Sequence, residues 1–219
     1  MSNTTQFHVT ILTEQRYVDP KEIDIYTQNV LDEDRFIQKA LEERGLKVFR
    51  TNWDNPDFDW TSTEHILFRT IWDYFDRFNE FSPWLEKVSK QTKLINPKDL
   101  IYWNIDKHYL QDLASNGVQI PNTVFIEQGD QRTLKTIVSD TNWEEFILKP
   151  VISGAARHTY RFTAKECEKH ASVFSELIEN ESMMLQEFQK NIVSKGEVSF
   201  SISSLKTEAC FSHSLAVKR

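Results

Sequence analysis

The chain has 219 residues, which is enough for one large domain or two small ones with a substantial core. Hydrophobic residues make up 39% and charged residues 27%, as is ordinary for a globular protein, and the 15 Phe and 6 Trp predict an aromatic core. The net charge of −7, with no long run of Lys or Arg, argues against nucleic acid as a partner.

The sequence also lacks the signs of export and of a membrane span. The N-terminal "MSNTTQFHVTIL" has no basic region followed by a long apolar stretch, so we predict no signal peptide. No apolar run reaches the roughly 18 residues that a membrane helix needs. Cys167 and Cys210 have no metal-ligand spacing and are expected to be reduced thiols, so we predict a cytoplasmic protein without a membrane partner.

The first part of the chain alternates predicted strands and helices. The segment "DEDRFIQKALEERG" (32–45) has one apolar face and predicts a helix, and the aromatic "IWDYFDRFNEF" (71–81) predicts another. Alternating strands and helices favour an α/β layer with a parallel sheet, here in an N-terminal domain of residues 1–95. The strands are predicted where β-branched and aromatic residues alternate or cluster, at 7–13, 46–53 and 65–70.

The second part is dominated by strands. Residues 96–130 are predicted as a helical connection, with one helix in "IDKHYLQDLASNG" (105–117). Residues 131–219 then hold one clear helix at 164–179 and predict an antiparallel α+β subdomain. Its predicted strands are residues 146–152, 159–163, 183–189, 197–203 and 210–218.

Four charged residues of this second part lie within apolar strands, namely Lys149, Glu187, Glu197 and Lys218. Burying such groups alone is costly, so we expect them to pair with one another or to meet a ligand. Two lysines and two carboxylates suit the two ends of a nucleotide. Simpler interpretations stay open: an exposed lysine at a strand end, an edge-strand carboxylate, a turn residue and a frayed terminus, respectively.

Four segments in one order resemble the ATP-grasp superfamily, in its glutathione synthetase-like and ribosomal-protein-glutamate-ligase-like branch. The segments "KPVISGAARHTYRF", "GEVSF" and "SHSLAVK" are most similar to those of a prokaryotic group that includes the cycloserine-forming ligase. The resemblance implies an N-terminal pre-ATP-grasp domain followed by a partial ATP-grasp fold. The four segments are "NIDKHYLQDLASNGVQIPNT" (104–123), "FILKPVISGAARHTYRF" (146–162), "MLQEFQ" (184–189) and "GEVSFSISSLKTEACFSHSLAVKR" (196–219).

The resemblance assigns roles to residues one by one. Lys107 and Lys149 match the two lysines that contact the phosphates of ATP, and Lys107 also fits a plain solvated lysine. The loop 153–157 matches the lid over the β- and γ-phosphates, whose backbone N–H groups would supply donors. Residues proposed to hold ATP are therefore Lys107, Lys149, Ser153, Gly154, Ala155, Arg157, Gln186, Glu187, Phe188, Gln189 and Glu197, the last as acceptor from the ribose.

The remaining assignments concern chemistry and substrate. Lys218 and Arg219 fall where the family places cations beside the transferred phosphate, and are the candidate catalytic residues. Arg69, at a strand-to-helix junction of the first domain, is a candidate for binding the carboxylate substrate. The resemblance implies ATP and Mg²⁺ as cofactors, small carboxylate and amine substrates such as amino acids or short peptides, and an acyl-phosphate intermediate. Relatives are often dimers or tetramers, so a homo-oligomer stays open.

The sequence departs from the family in two ways. Many relatives have several glycines in the lid, whereas this chain has only Gly154 there. The family's metal-holding carboxylates and Asn follow the last strand, and the chain stops at Arg219, so no metal ligand can be named and we expect an incomplete chain without ligase activity of its own. A nucleotide-binding module without ligase activity, and a plain interaction protein that shares the fold, remain alternatives.

Overall fold

The computed structural model describes residues 5–196, 198–205 and 208–215, with side chains described for 5–196. Within this part the chain forms ten strands and seven α-helices. The strands are β1 Phe7–Thr13, β2 Val48–Asn52, β3 Thr63–Thr70, β4 Lys93–Ile95, β5 Thr123–Ile126, β6 Glu145–Pro150, β7 Tyr160–Thr163, β8 Met183–Glu187, β9 Val198–Leu205 and β10 Glu208–Leu215. The helices are α1 Ile25–Glu42, α2 Phe78–Val88, α3 Lys98–Ile105, α4 Tyr109–Ser115, α5 Leu134–Ser139, α6 Ala171–Asn180 and α7 Asn191–Lys195.

The chain divides into two compact units. The first comprises Met1–Val118 and Pro150–His158, and the second comprises Gln119–Lys149 and Thr159–Arg219. The predicted limits after residues 95 and 130 do not coincide with these boundaries, because helices α3 and α4 pack with the first unit. The segment 150–158, which joins β6 to β7 of the second unit, also belongs to the first unit by its contacts.

A four-stranded parallel sheet in the order β2-β1-β3-β4 forms the centre of the first unit. Two buried hydroxyl pairs fix the register of its central strands. Thr10 meets Thr63 at 3.0 Å between Oγ1 atoms, and Thr13 meets Thr70 at 2.6 Å. Buried polar side chains are tolerated in this sheet because each hydroxyl finds a partner. The predicted parallel sheet is confirmed, and the short strand β4 and helix α3 were not predicted.

Aromatic side chains dominate the core of the first unit, as the composition predicts. Trp53 and Phe81 are fully buried, and Trp84 contacts both Trp53 and Trp60 at ring-centroid distances of 5.4 and 5.3 Å. Helix α2 supplies Phe81, Leu85 and Val88 to this core from one face. The predicted helix over 71–81 is therefore misplaced, because α2 begins at Phe78.

The cause of that shift is a set of tertiary contacts made by the segment before α2. The indole Nε1 of Trp53 donates to Asp73 at 2.8 Å, and Arg77 pairs with Asp54, Asp73 and Glu80. These contacts hold residues 71–77 in turns. Helix α1 is also longer than predicted, since the side chain of Asp24 accepts from the Thr27 N–H and caps a helix that starts at Ile25.

The second unit contains a four-stranded sheet in the order β5-β8-β6-β7 and a two-stranded antiparallel pair of β9 and β10. Strands β5 and β8 are antiparallel, as are β6 and β7. One face of the sheet packs on α5 and α6 around a core that includes Phe146, Leu148 and Phe174. The predicted α/β part followed by an antiparallel sheet is thus confirmed, and the short helices α5 and α7 were missed.

Candidate functional site

Lys149 lies on the face of β6 that is turned away from the core of the second unit. Phe146, Leu148 and Pro150 are buried on one face of the strand, so the alternation of side chains places Lys149 on the other. Its ammonium donates to the side-chain oxygen of Gln186 at 3.2 Å. No carboxylate pairs with Lys149 among residues 5–196, and burial lowers the pKa of its ammonium.

The partner of Lys149 is itself hydrogen-bonded to a further polar side chain. Gln186 lies opposite Thr123 on β5, and its amide donates to the Thr123 hydroxyl at 3.0 Å. Met184 lies two residues before Gln186, on the same face of β8, and is fully buried. A desolvated cation beside a neutral amide suits an anionic ligand.

The predicted adenine hinge, residues 186–189, is already engaged in contacts within the second unit. The backbone N–H of Glu187 donates to the carbonyl of Asn122 at 2.9 Å, and its carboxylate accepts from the Asn122 amide at 2.8 Å. The N–H of Phe188 donates to the carbonyl of Glu145 at 3.0 Å. Two backbone donors of the hinge are therefore used by the protein, and the reading of adenine by this segment stays a prediction.

Phe188 and Gln189 have further contacts. The guanidinium of Arg161 lies 3.7 Å from the centre of the Phe188 ring and also pairs with Glu145 at 2.7 Å. The side-chain amide of Gln189 donates to the carbonyl of Glu187 at 3.2 Å. These bonds give the hinge a defined conformation at the end of β8.

Lys107 and the predicted lid are brought together in the first unit. The ammonium of Lys107 donates to the carbonyl of Ser153 at 2.7 Å and to that of Val151 at 3.2 Å. The backbone N–H of Lys107 also donates to Val151, at 3.0 Å. Lys107 precedes α4, which begins at Tyr109, so its predicted place on the helix is wrong.

The segment 151–158, here called the β6–β7 loop, has an unusual backbone. Ala155, Ala156 and His158 have φ values of 49, 60 and 48°, in the left-handed region that disfavours side chains. The hydroxyl of Ser153 donates to the carbonyl of Arg157 at 3.0 Å, and the N–H of Arg157 donates to Gly154 at 2.9 Å. Three residues of this loop thus adopt a backbone conformation typical of glycine without being glycine.

Gly154 itself is favoured for a different reason. A Cβ built on Gly154 would lie 2.6 Å from a ring atom of Phe75, much closer than real Cβ contacts. The next residue, Asp76, pairs with Arg157 at 2.9 Å. Phe75 and Asp76 were not predicted as functional, and their only sequence signal was the aromatic run that was assigned to packing.

Arg69 lies at the end of β3 and pairs with two carboxylates of helix α1. Its Nη2 lies 2.8 Å from Glu33 and its Nε 3.2 Å from Asp34, and Arg50 also pairs with Asp34 at 2.8 Å. Asp34 is buried, so this group of charges stabilises the packing of α1 on the sheet. The substrate role of Arg69 stays a prediction.

A cavity of about 360 Å³ lies in the first unit between β3 and α3. Its lining carries no charged side chain. It comprises Phe68, Ile71, Tyr74, Asn96, Leu100, Ile101, Asn104 and Ile105. Burial raises the pKa of the Tyr74 hydroxyl, which is consistent with an apolar environment. Ile71 and Tyr74 belong to the segment that also carries Phe75.

Three predicted residues, Glu197, Lys218 and Arg219, lie outside the residues whose side chains are described. Within the described residues, no group of three or more His, Cys, Asp or Glu side chains is arranged to hold a metal ion. None of the helices in that part of the chain is long and apolar enough to cross a membrane. Cys167 is buried and free.

Comparison with known proteins finds similarity to one sequence family and to several solved structures. Residues 9–96 match the sequence model described as D-cycloserine synthetase DcsG, N-terminal domain. The cycloserine biosynthesis protein DcsG of Streptomyces lavendulae is 28% identical over 163 residues, covering 73% of this chain and 54% of that protein. The chain therefore spans about half the length of the curated relative it matches.

Solved structures agree with the sequence comparison. The crystal structure of D-cycloserine synthetase DcsG has a TM-score of 0.76 at 24% identity, covering 88% of this chain and 63% of that one. D-alanyl-alanine synthetase A of Vibrio cholerae has a TM-score of 0.67 at 10% identity, covering 98% of this chain and 68% of that one. The RimK domain protein ATP-grasp of Sphaerobacter thermophilus has a TM-score of 0.57 at 13% identity, covering 83% and 64%.

These findings show that the chain shares its fold with solved structures that include an ATP-grasp protein. The family model and the sequence relative to which the chain is similar both come from the cycloserine-forming group. The resemblance inferred from the four sequence segments is confirmed at this level.

Proposed function

We propose that this chain is the nucleotide-binding part of an ATP-dependent carboxylate–amine ligase. The observation that carries the proposal is Lys149, a half-buried cation that donates to the neutral Gln186. Within the described residues, no carboxylate pairs with this desolvated ammonium. Such a group lowers the stability of the fold unless an anion binds beside it. A phosphate of ATP supplies that anion, and the lysine strand of the family supplies the precedent.

The other nucleotide contacts follow the resemblance. Lys107 and the β6–β7 loop are assigned to phosphates, Gln186 to Gln189 to the base, and Glu197 to the ribose. Lys218 and Arg219 are proposed to stabilise the charge on the phosphate as it moves.

The reaction we propose has two steps. An oxygen of the substrate carboxylate attacks the γ-phosphorus of ATP, the bond from that phosphorus to the oxygen bridging to the β-phosphate breaks, and ADP leaves as the acyl phosphate forms. An amine then attacks the acyl carbon, phosphate leaves, and the amine loses a proton to give the amide. Mg²⁺, when bound, would neutralise phosphate charge during the transfer. We propose amino acids or short peptides as substrates, since the relatives are named for cycloserine and D-alanyl-alanine synthesis.

Binding and catalysis are tested separately. Titration of the chain with Mg-ATP should raise its unfolding midpoint and give a saturable calorimetric signal, and Lys149→Met should abolish both. The matched control is Lys165→Met, which removes an exposed lysine of the same unit. If the whole protein releases ADP from ATP only when an amino acid or peptide is present, ligase activity is established. Binding of Mg-ATP without such release in the whole protein would leave only a nucleotide-binding module.

A further inference from the structure

The β6–β7 loop is held by two residues that lie far from it in sequence and belong to the same unit. The Phe75 ring packs so closely on Gly154 that a Cβ there would force it to move, and Asp76 pairs with Arg157 three residues further along the loop. The two contacts are adjacent on one segment, 71–77, which is itself fixed by the bonds of Asp73 and Arg77 to the core. The segment 71–77 therefore contacts the loop at two residues, Gly154 and Arg157.

The backbone conformation of the loop shows why such contacts are needed. Left-handed φ angles at three non-glycine residues cost roughly 1 kcal/mol each. A short loop keeps such angles only where contacts with the rest of the protein offset the strain. The contacts that contribute to this include those with Phe75 and Asp76 and the two hydrogen bonds from the ammonium of Lys107.

We propose that Phe75 and Asp76 are positioning residues that hold the β6–β7 loop in the conformation that receives the phosphates of ATP. This inference rests on the proposed function. The same held conformation places Lys107 against Ser153, so it joins two elements that are both assigned to the nucleotide. A loop that is ordered before binding loses less conformational entropy when the ligand arrives, and its affinity is correspondingly higher.

The first arm of the test measures the loop without nucleotide. Amide hydrogen exchange in residues 152–158 of the full chain should become about tenfold faster in Phe75→Ala, which removes the ring contact with the loop. It should become about threefold faster in Asp76→Asn, because the ion pair of Asp76 with Arg157 is largely exposed. Asp76→Glu should restore slow exchange. Phe36→Ala and Asp57→Asn are matched controls, since both side chains are exposed, and they should leave the loop unchanged. Unchanged exchange in both test variants would overturn the inference.

The second arm measures affinity for Mg-ATP by calorimetry. Both test variants should bind roughly twofold to fivefold more weakly, with the larger loss in Phe75→Ala, because a smaller part of the population then has the loop in its competent conformation. Faster exchange with unaltered affinity would refute the positioning role. If the wild-type chain shows no binding of Mg-ATP at all, the proposed function fails, and the exchange arm still decides whether the two residues anchor the loop.

A pair of variants separates this role from a general loss of stability. Gly154→Ala should speed exchange in the loop, because its Cβ forces the Phe75 ring away. In the Phe75→Ala background that clash is gone, so adding Gly154→Ala should have little further effect on exchange or affinity. Additive effects of the two changes would contradict the contact. Near-ultraviolet circular dichroism checks that every variant keeps its packed core.

Discussion

The ammonium of Lys149 donates to the side-chain oxygen of Gln186 at 3.2 Å, so a half-buried cation has a neutral partner on the neighbouring strand. Charges of this kind are costly, and they are commonest where a ligand of opposite charge binds. The pair defines the part of the second unit where the fold trades stability for binding.

Lys149→Met should therefore increase the free energy of unfolding at neutral pH while removing the affinity for Mg-ATP. Burial lowers the pKa of Lys149 below its unfolded value, so the unfolded chain binds more protons between the two pKa values and wild-type stability rises with pH in that window. The advantage of Lys149→Met should be largest below the folded pKa and shrink as pH approaches about 10. Urea unfolding of both proteins at several pH values measures it, and a growing advantage with pH would contradict the assignment.

The buried carboxylate of Asp34 should matter more than the exposed one beside it. Asp34→Asn leaves Arg50 and Arg69 without their shared carboxylate and should cost about 3 kcal/mol of stability. Glu33→Gln, at a position whose side chain is 68% exposed, should cost less than about 1 kcal/mol. Equal losses in urea unfolding would show that the network around Arg69 is not a packing element.

Arg69 serves that network, and its proposed substrate role can be tested against it. If Arg69 also binds the carboxylate substrate, Arg69→Lys in the whole enzyme should raise the KM for that substrate at temperatures well below the unfolding midpoint of the variant. Lysine keeps the charge and loses the fork geometry of the guanidinium. An unchanged KM would leave Arg69 with a packing role alone.

The carboxyl of Glu86 should titrate far below its usual range. Hydrogen bonds from Lys98 and Lys90 lower its pKa to about 2, and its Oε2 lies 2.8 Å from the ammonium of Lys98. The stability that this pairing adds is present above about pH 4.5 and declines as pH falls toward 2. Lys98→Met should move the pKa of Glu86 upward in a carboxyl NMR titration, and an unmoved pKa would show that Lys98 is not the main cause.

Ala156→Gly should stabilise the β6–β7 loop backbone. Relief of the left-handed strain at φ 60° is worth roughly 1 kcal/mol, and the greater freedom of glycine in the unfolded chain offsets part of it. The unfolding midpoint should therefore rise slightly or stay constant. Ala40→Gly, in helix α1, is the contrasting control and should lower the midpoint. A clear loss of stability in Ala156→Gly would contradict the backbone assignment.

Sequence patterns predicted most of the sheet and less of the helices. Strand β1 was placed at its observed limits, because alternation of apolar and polar residues survives packing. Helix α2 was misplaced by several residues, because the bonds of Asp73 and Arg77 decide where it begins, and no local pattern reports bonds to Trp53 and Asp54. The early start of α1 was missed although Asp24 is a good N-cap residue.

The residues of the candidate site that belong to family motifs were predictable from sequence. The residues that only the fold brings together were not. Lys149 and Gln186 were selected from sequence, and the structure places them in contact. The link between Phe75 and Gly154 spans residues that no motif connects, and the preference for glycine at 154 follows from a ring, not from a φ angle.

The contacts of Trp84 with Trp53 and Trp60 give the first unit an optical signature of its own. Indole rings at centroid distances of 5.4 and 5.3 Å are close enough for their excited states to couple, so we expect these three residues to give a shared near-ultraviolet circular dichroism signal. Loss of that signal would report loss of packing in the first unit. An unlabelled sample can therefore show whether a variant of the second unit has disturbed the first.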